Sequence, residues 1–203
     1  MAFSNYSELQ SLVANYLARD DLSSQITDFI KLGEIRLRRD LRLRQMLSTT
    51  DLTISSQTVS LPSDFLELRD LHLDTTPVLQ LDYLSPSFFF RNGRTKERGQ
   101  PVFFTMTGDT FVFGPIPDQT FTGKLLHYAA PDFLSDSNTS NTFLVTAPDA
   151  LLYAALGEAE PFLMNDQRLA VWASLYDRAK NNLTASDDAA EYSGNPMTMS
   201  VAS

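Results

Sequence analysis

SSQITDFIKLGEIRLRRDLRLRQM, residues 23–46, is the stretch on which the rest of the chain is organised. It is long enough for about six helical turns. Ser23 or Ser24 can cap its start, and Ile26, Phe29, Ile30, Gly33, Leu37 and Leu41 fall on one stripe at helical spacing. Leu32, Ile35 and Leu43 occupy other faces, so the spacing predicts a helix wedged between several neighbours. Its second half carries Arg36, Arg38, Arg39, Arg42 and Arg44, answered nearby only by Glu34 and Asp40. Surplus guanidinium on a half-buried helix requires carboxylates or phosphates from elsewhere, in this chain or in another molecule.

On the N-terminal side, residues 6–19 form a shorter helix with Leu9, Leu12, Val13, Tyr16 and Leu17 on its apolar face. Asn5 is its cap, with Glu8 at capping-box spacing. The short Asp20-Asp21-Leu22 turn makes the two helices antiparallel. After Met46 the period changes from helical to alternating. Leu52 and Ile54, then Val59 and Leu61, predict a hairpin about Ser56-Gln57. Residues 66–73 predict an irregular strand and 78–81 another. Ser85-Pro86 predicts a short helix start, residues 102–107 and 110–113 a hairpin about Gly108-Asp109, and 123–129 a last strand.

Residues 132–146 are rich in Ser, Asn, Asp and Thr and read as a loop. Pro148 opens a third long helix that Pro161 must kink or end. Asn165 or Asp166 caps a fourth, with Leu169, Trp172, Leu175, Tyr176, Ala179 and Leu183 as its stripe. Residues 187–203 lose the apolar period and read as a flexible tail. The expectation is an α+β protein: residues 1–46 and 147–186 as a four-helix bundle built from N- and C-terminal helical hairpins, and residues 47–131 as an inserted β-rich lobe.

Composition limits the function. The chain of 203 residues has 16 basic and 25 acidic residues, a net charge of −9, which disfavours tight sequence-independent DNA binding. It has no cysteine, so disulfides, zinc–thiolate sites and cysteine nucleophiles are excluded. The opening MAFSNYSELQSL has no basic-then-apolar leader, and the longest apolar run, 150–156, is seven residues against about 20 for a membrane span. A protein used without lipid is expected.

A catalytic constellation is not visible. His72 and His127 stand singly in predicted strands without ligand spacing, and structural roles are expected for both. No nucleophile elbow, zinc-protease helix or glycine-rich phosphate loop is present. Two features stand out instead. The arginines at 36, 38, 39, 42 and 44 can serve internal salt bridges, a subunit interface, or DNA. Phe88, Phe89 and Phe90, followed by Arg91, Arg94, Lys96 and Arg98, form an aromatic–basic run. Three consecutive phenylalanines cannot all face one core, so the run is a candidate partner contact.

Taken in order, these stretches resemble the head-to-tail adaptor (connector) proteins of tailed bacteriophages, especially the short-tailed type. The resemblance runs from about Tyr6 to Leu183. It rests on Phe29-Ile30 with Glu34, Arg36, Arg39 and Arg42, on Leu61-Pro62-Ser63-Asp64-Phe65-Leu66-Glu67, and on Pro115-Ile116-Pro117. Tyr128, Pro131, Leu134 and Ser135 continue it, followed by Pro148-Asp149, Leu151-Leu152-Tyr153, Asp166, Arg168, Trp172 and Tyr176. Gly33 stands where the family pattern leads one to expect alanine. The resemblance implies a non-enzymatic virion protein with no cofactor, assembled in the host cytoplasm. Twelve copies would form a ring below the portal, continue its channel for double-stranded DNA without specific binding, and offer a platform to tail or nozzle proteins. The rival readings are a nucleic-acid-binding module using the arginine-rich helix and a hydrolase with a carboxylate site.

Overall fold

The structure is a computed structural model that describes residues 3–164 and 166–192. It is α+β, with six α-helices and two four-stranded sheets among the described residues. The chain divides into two compact units, residues 1–46 with 131–203 and residues 47–130.

In the helical unit, α1 (Tyr6–Leu17) begins at Asn5, whose side chain accepts the Glu8 N–H at 2.9 Å. The return half of the expected capping box goes elsewhere: the Glu8 carboxylate takes the backbone N–H and hydroxyl of Ser4. Ala18, left-handed at φ 53°, caps the helix, whose last residue, Leu17, stands two before the expected Arg19.

Helix α2 (Ser23–Asp40) is shorter than the predicted 23–46, and neither Ser23 nor Ser24 caps it; Leu22 is the cap residue and gives no side-chain bond. The shortening has a packing cause. Leu41 and Leu43 are both buried, and side chains two apart share one side only of an extended chain. Leu41 accordingly leaves the helix at φ −114°, ψ 140°. Arg42 folds back and donates to the carbonyls of Arg38 and Leu41 at 2.8 and 2.7 Å, satisfying oxygens that the end of the helix leaves free. A 3-10 turn at Arg44–Met46 follows. The predicted stripe Ile26, Phe29, Ile30, Gly33, Leu37 and Leu41 is buried, but Leu32 is exposed, so α2 is not enclosed on all faces.

The enclosed helix is α5 (Pro148–Leu163), on which Ala150, Leu151, Leu152, Ala154, Ala155, Leu156, Ala159 and Glu160 are all buried. It packs against α1, α2 and α6 (Asp166–Tyr192). Alanine at 150, 154, 155 and 159 lets neighbouring backbones come close on several sides. Pro161 lies within the last turn of α5, and the helix ends two residues beyond it, at Leu163, with Met164 as its left-handed cap at φ 55°. Of the two expected caps of α6, Asn165 lies outside the described residues.

Two further expectations change here. Residues 132–146 are not wholly loop: Asn141 caps α4 (Thr142–Thr146) by accepting the Leu144 N–H at 3.0 Å. The tail does not begin at 187, because α6 continues to Tyr192, with Asp187 binding Arg44. Residues 193–203 lie outside the described part.

In the β unit, one sheet has strand order β1-β8-β3-β4, with β1 Leu47–Ile54, β3 Phe65–Leu73, β4 Leu79–Gln80 and β8 Phe121–Ala129. The other has order β2-β7-β6-β5, with β2 Thr58–Ser60, β5 Asp82–Tyr83, β6 Phe103–Thr107 and β7 Thr110–Gly114. Leu52, Ile54, Leu71, Leu73 and Leu125 of the first sheet share one buried core with Phe104, Phe111 and Phe113 of the second. The predicted β1–β2 hairpin is overturned: β1 pairs with β8 and β2 with β7, so the chain changes sheet at residues 55–57. The β6–β7 hairpin forms as expected about Gly108, at φ 57°, and Asp109. The expected irregularity of β3 is also present, as register shifts at Phe65/Glu67 and Leu68/Asp70. Helix α3 (Pro86–Arg91) starts with proline in its first turn.

Candidate functional site

The five arginines have different fates. The Arg36 guanidinium lies 4.2 Å from the Tyr176 ring centre and 3.7 Å from Glu158. Arg38 places its guanidinium carbon over Phe133, 3.5 Å from the ring centre, and donates to the Pro131 carbonyl. Arg42 caps α2, as above. Arg44 holds Asp187 through both its backbone N–H, at 2.9 Å, and its guanidinium, at 3.5 Å. Arg39 alone of the five is exposed with no hydrogen bond or ion pair among the described residues. Helix α2 and the segment after it thus commit four arginines to their own unit and leave one, Arg39, to the outside.

Glu34, read from the sequence as one of two acids answering the arginines, has a different task. It is buried. Its carboxylate accepts the Leu134 N–H at 3.1 Å and the Asn141 side-chain amide at 2.6 Å. Burial raises its pKa above the ordinary value, although both bonds and the Arg38 charge pull the other way. Together Glu34 and Arg38 hold residues 131–141 against α2. The Tyr6 N–H adds a bond to the Thr139 carbonyl at 2.9 Å, and Asn138 closes the loop by donating to the Phe133 carbonyl at 2.9 Å.

A second buried carboxylate was not anticipated. Glu160, fully buried, accepts the Trp172 indole N–H at 2.7 Å, and the Arg168 Nε lies 3.2 Å from the same oxygen. Arg168 also donates to the Tyr16 carbonyl at 2.8 Å, so one side chain joins α6 to both α1 and α5. Trp172 meets Tyr16 edge-on at 5.8 Å and Tyr153 stacked at 6.2 Å. The sequence signal was there, a glutamate flanked by buried-type residues in an apolar helix, but nothing local names its partner.

The aromatic–basic run splits as its spacing requires. Phe89 is buried and edge-on to Phe103, ring centres 5.7 Å apart, whereas Phe88 and Phe90 are 61% and 63% exposed. Arg91, Arg94, Lys96 and Arg98 are all exposed. The two histidines do not come together with other ligands. His72 Nδ1 lies 3.2 Å from Asp70 on β3. His127 is buried and stacked on Phe65 at 5.6 Å, with Nε2 3.6 Å from Asp64 and neither ring nitrogen hydrogen-bonded.

Among the described residues no group of three or more His, Asp or Glu side chains is placed to hold a metal ion. No helix there is long and apolar enough to cross a membrane. Two carboxylates, Asp28 and Asp136, line one open hollow with Tyr6 and Lys31. Burial, and after it the nearby acids, raise the Tyr6 hydroxyl pKa, which makes that hydroxyl a poorer base and nucleophile near neutral pH.

The site is therefore a set of inter-element clamps with two outward features, Arg39 and the 88–98 surface, which suits a structural protein whose work lies in contacts. The family comparison agrees: the SU10 adaptor protein family matches residues 4–200, and the chain belongs to that family of phage adaptor proteins. No curated protein matches the chain.

Proposed function

We propose that this protein is a head-to-tail adaptor of the virion, forming a ring of twelvefold symmetry below the portal of a short-tailed phage. The ring extends the channel through which double-stranded DNA passes and gives tail or nozzle proteins their platform. Helices α1, α2, α5 and α6 act as its four-helix bundle, and Arg39 is the arginine of α2 offered to a neighbouring subunit. The observation that carries this reading is the family match over residues 4–200, almost the whole chain. The net charge of −9 supports the channel role, since an acidic wall repels DNA and lets it slide. The commitment of Arg36, Arg38, Arg42 and Arg44 to groups of the same chain leaves little of α2 for nucleic acid.

Electron microscopy of the purified protein, alone and mixed with the portal of the same phage, tests the proposal. Rings seated on the portal are expected. A protein that stays monomeric and unattached in both samples would overturn it.

A further inference from the structure

Residues 86–98 carry Arg91, Arg94, Lys96 and Arg98 against Glu97 alone. Outside this segment the chain has 12 basic residues against 24 acidic ones, from totals of 16 and 25. The segment is therefore a basic island on an acidic protein.

Its backbone is firmly built. Phe89, buried on Phe103, pins α3 so that Phe88 and Phe90 are held outward. The Asn92 side chain accepts the Arg94 N–H at 3.1 Å. Thr95 is buried, its hydroxyl on the Asn92 carbonyl at 2.8 Å and its own carbonyl taking the Gln57 amide at 3.1 Å. The Ile116 N–H donates to the Glu97 carbonyl at 2.8 Å, and the Gly99 N–H to the Ile116 carbonyl at 2.9 Å. Arg94 has a loose, exposed contact with Glu97 at 3.9 Å, whereas Arg91, Lys96 and Arg98 meet no carboxylate among the described residues. Two outward aromatic rings and three free cations on an ordered backbone are a surface prepared for a contact, with little ordering left to do when it forms.

Two occupants fit that chemistry, a nucleic acid and an acidic protein surface. The charge argues against the first. Outside this segment the chain carries twice as many acidic as basic residues, which repels a polyanion. A second copy of this chain supplies the complementary charge. Moreover, the patch cannot dock on its own equivalent, because cations would face cations. The contact must join two different surfaces, and such heterologous contacts close into rings or run on as filaments. We infer that Phe88, Phe90, Arg91, Lys96 and Arg98 dock head-to-tail on an acidic surface of a second copy of this chain. The inference rests on the ring reading above and gives that ring one of its contacting faces.

The test compares the full chain with F88A/F90A and with R91E/K96E/R98E, by sedimentation over a concentration series at low and high salt and by electron microscopy for rings, with and without the portal. Each variant should weaken self-association about tenfold or more, since outward aromatic and arginine anchors carry most of an interface's energy. The wild-type association should weaken with salt, and the glutamate variant should lose that dependence. Unchanged thermal melting shows that both variants fold. If both variants assemble like wild type, this inference fails and the ring reading stands. If wild type never assembles, alone or on the portal, the ring reading fails and takes this inference with it. If the variants lose binding to a single-stranded oligonucleotide while assembling normally, the patch belongs to nucleic acid and the inference is overturned.

Discussion

The backbone nitrogen of Ala155 lies 2.9 Å from the point where a Cβ on Gly33 would stand, and the Ala154 carbonyl carbon and Cβ each lie 3.3 Å from it. Helices α2 and α5 thus meet backbone to backbone, and the glycine is what permits their approach. This accounts for the absence of alanine at a position where helix propensity alone would favour it.

Gly33→Ala should therefore destabilise the helical unit. Alanine gains about 1 kcal/mol in helix propensity. Overpacking against backbone, which cannot swing aside as a side chain does, costs about 1–3 kcal/mol. A net loss of up to about 2 kcal/mol is expected from urea unfolding followed by Trp172, the single tryptophan, which reports on this unit. A variant as stable as wild type would mean that α2 and α5 part easily.

Glu34 predicts a pH dependence. Burial raises its folded pKa above the ordinary 4.5. Protonation is therefore favoured by the folded state, and the stability it contributes is full below about 4.5 and lost as pH rises through the folded value. Glu34→Gln retains an acceptor for the Leu134 N–H without the charge. Wild type should thus lose stability relative to E34Q between pH 4.5 and neutrality, as measured by urea unfolding at several pH values. A constant difference across that range would contradict the assigned burial.

Glu160 gives a spectroscopic prediction. Glu160→Ala leaves the Trp172 N–H and the Arg168 guanidinium without their shared oxygen. Breaking a buried, charged contact costs about 3 kcal/mol. Trp172 emission should move to longer wavelength as water reaches the indole. Glu160→Gln, which can still accept from the indole, should shift it less. Equal shifts in both variants would mean that the charge of Glu160, rather than its hydrogen bond, orders the ring.

What the sequence disclosed and what it hid follow from the range of each interaction. The α2 stripe, the Gly108-Asp109 turn and the start of α3 at Ser85-Pro86 depend on residues within a few positions, and each was legible. The β1–β2 hairpin was misread because alternation at Leu52, Ile54, Val59 and Leu61 is the same whether the strands pair or part. Their partners, β8 and β7, lie fifty or more residues on. The end of α2 was misread because the burial of both Leu41 and Leu43 depends on tertiary packing. The candidate site shows the same division. Spacing revealed that Phe88, Phe89 and Phe90 cannot all face one core and that helix two held surplus arginine. It gave no means of pairing Glu34 with Leu134, a hundred residues away, or Arg38 with Phe133.

Arg38 and Arg39 are neighbours in sequence with opposite surroundings, and their variants should separate fold from assembly. Arg38→Ala removes a guanidinium packed 3.5 Å over Phe133 and bonded to the Pro131 carbonyl. A partly desolvated cation–π contact contributes about 1–2 kcal/mol, and a lost charged hydrogen bond about 1.5–3. The two are not additive, and a total loss of about 2 kcal/mol is expected, with residues 131–141 gaining hydrogen exchange as their hold on α2 loosens. Arg39 is exposed and makes no hydrogen bond or ion pair among the described residues, so with Arg39→Glu the subunit stability should stay within about 0.5 kcal/mol of wild type. Its effect should fall on assembly, where reversing one charge at every repeated contact of a ring accumulates around the circle. Urea unfolding and ring counts in electron micrographs, taken on both variants, read the two effects separately. If R39E assembles as wild type does, Arg39 faces solvent and helix α2 has no part in the subunit contact. If R38A keeps full stability while ring formation fails, Arg38 works between subunits and the clamp on Phe133 is not what holds the 131–141 segment.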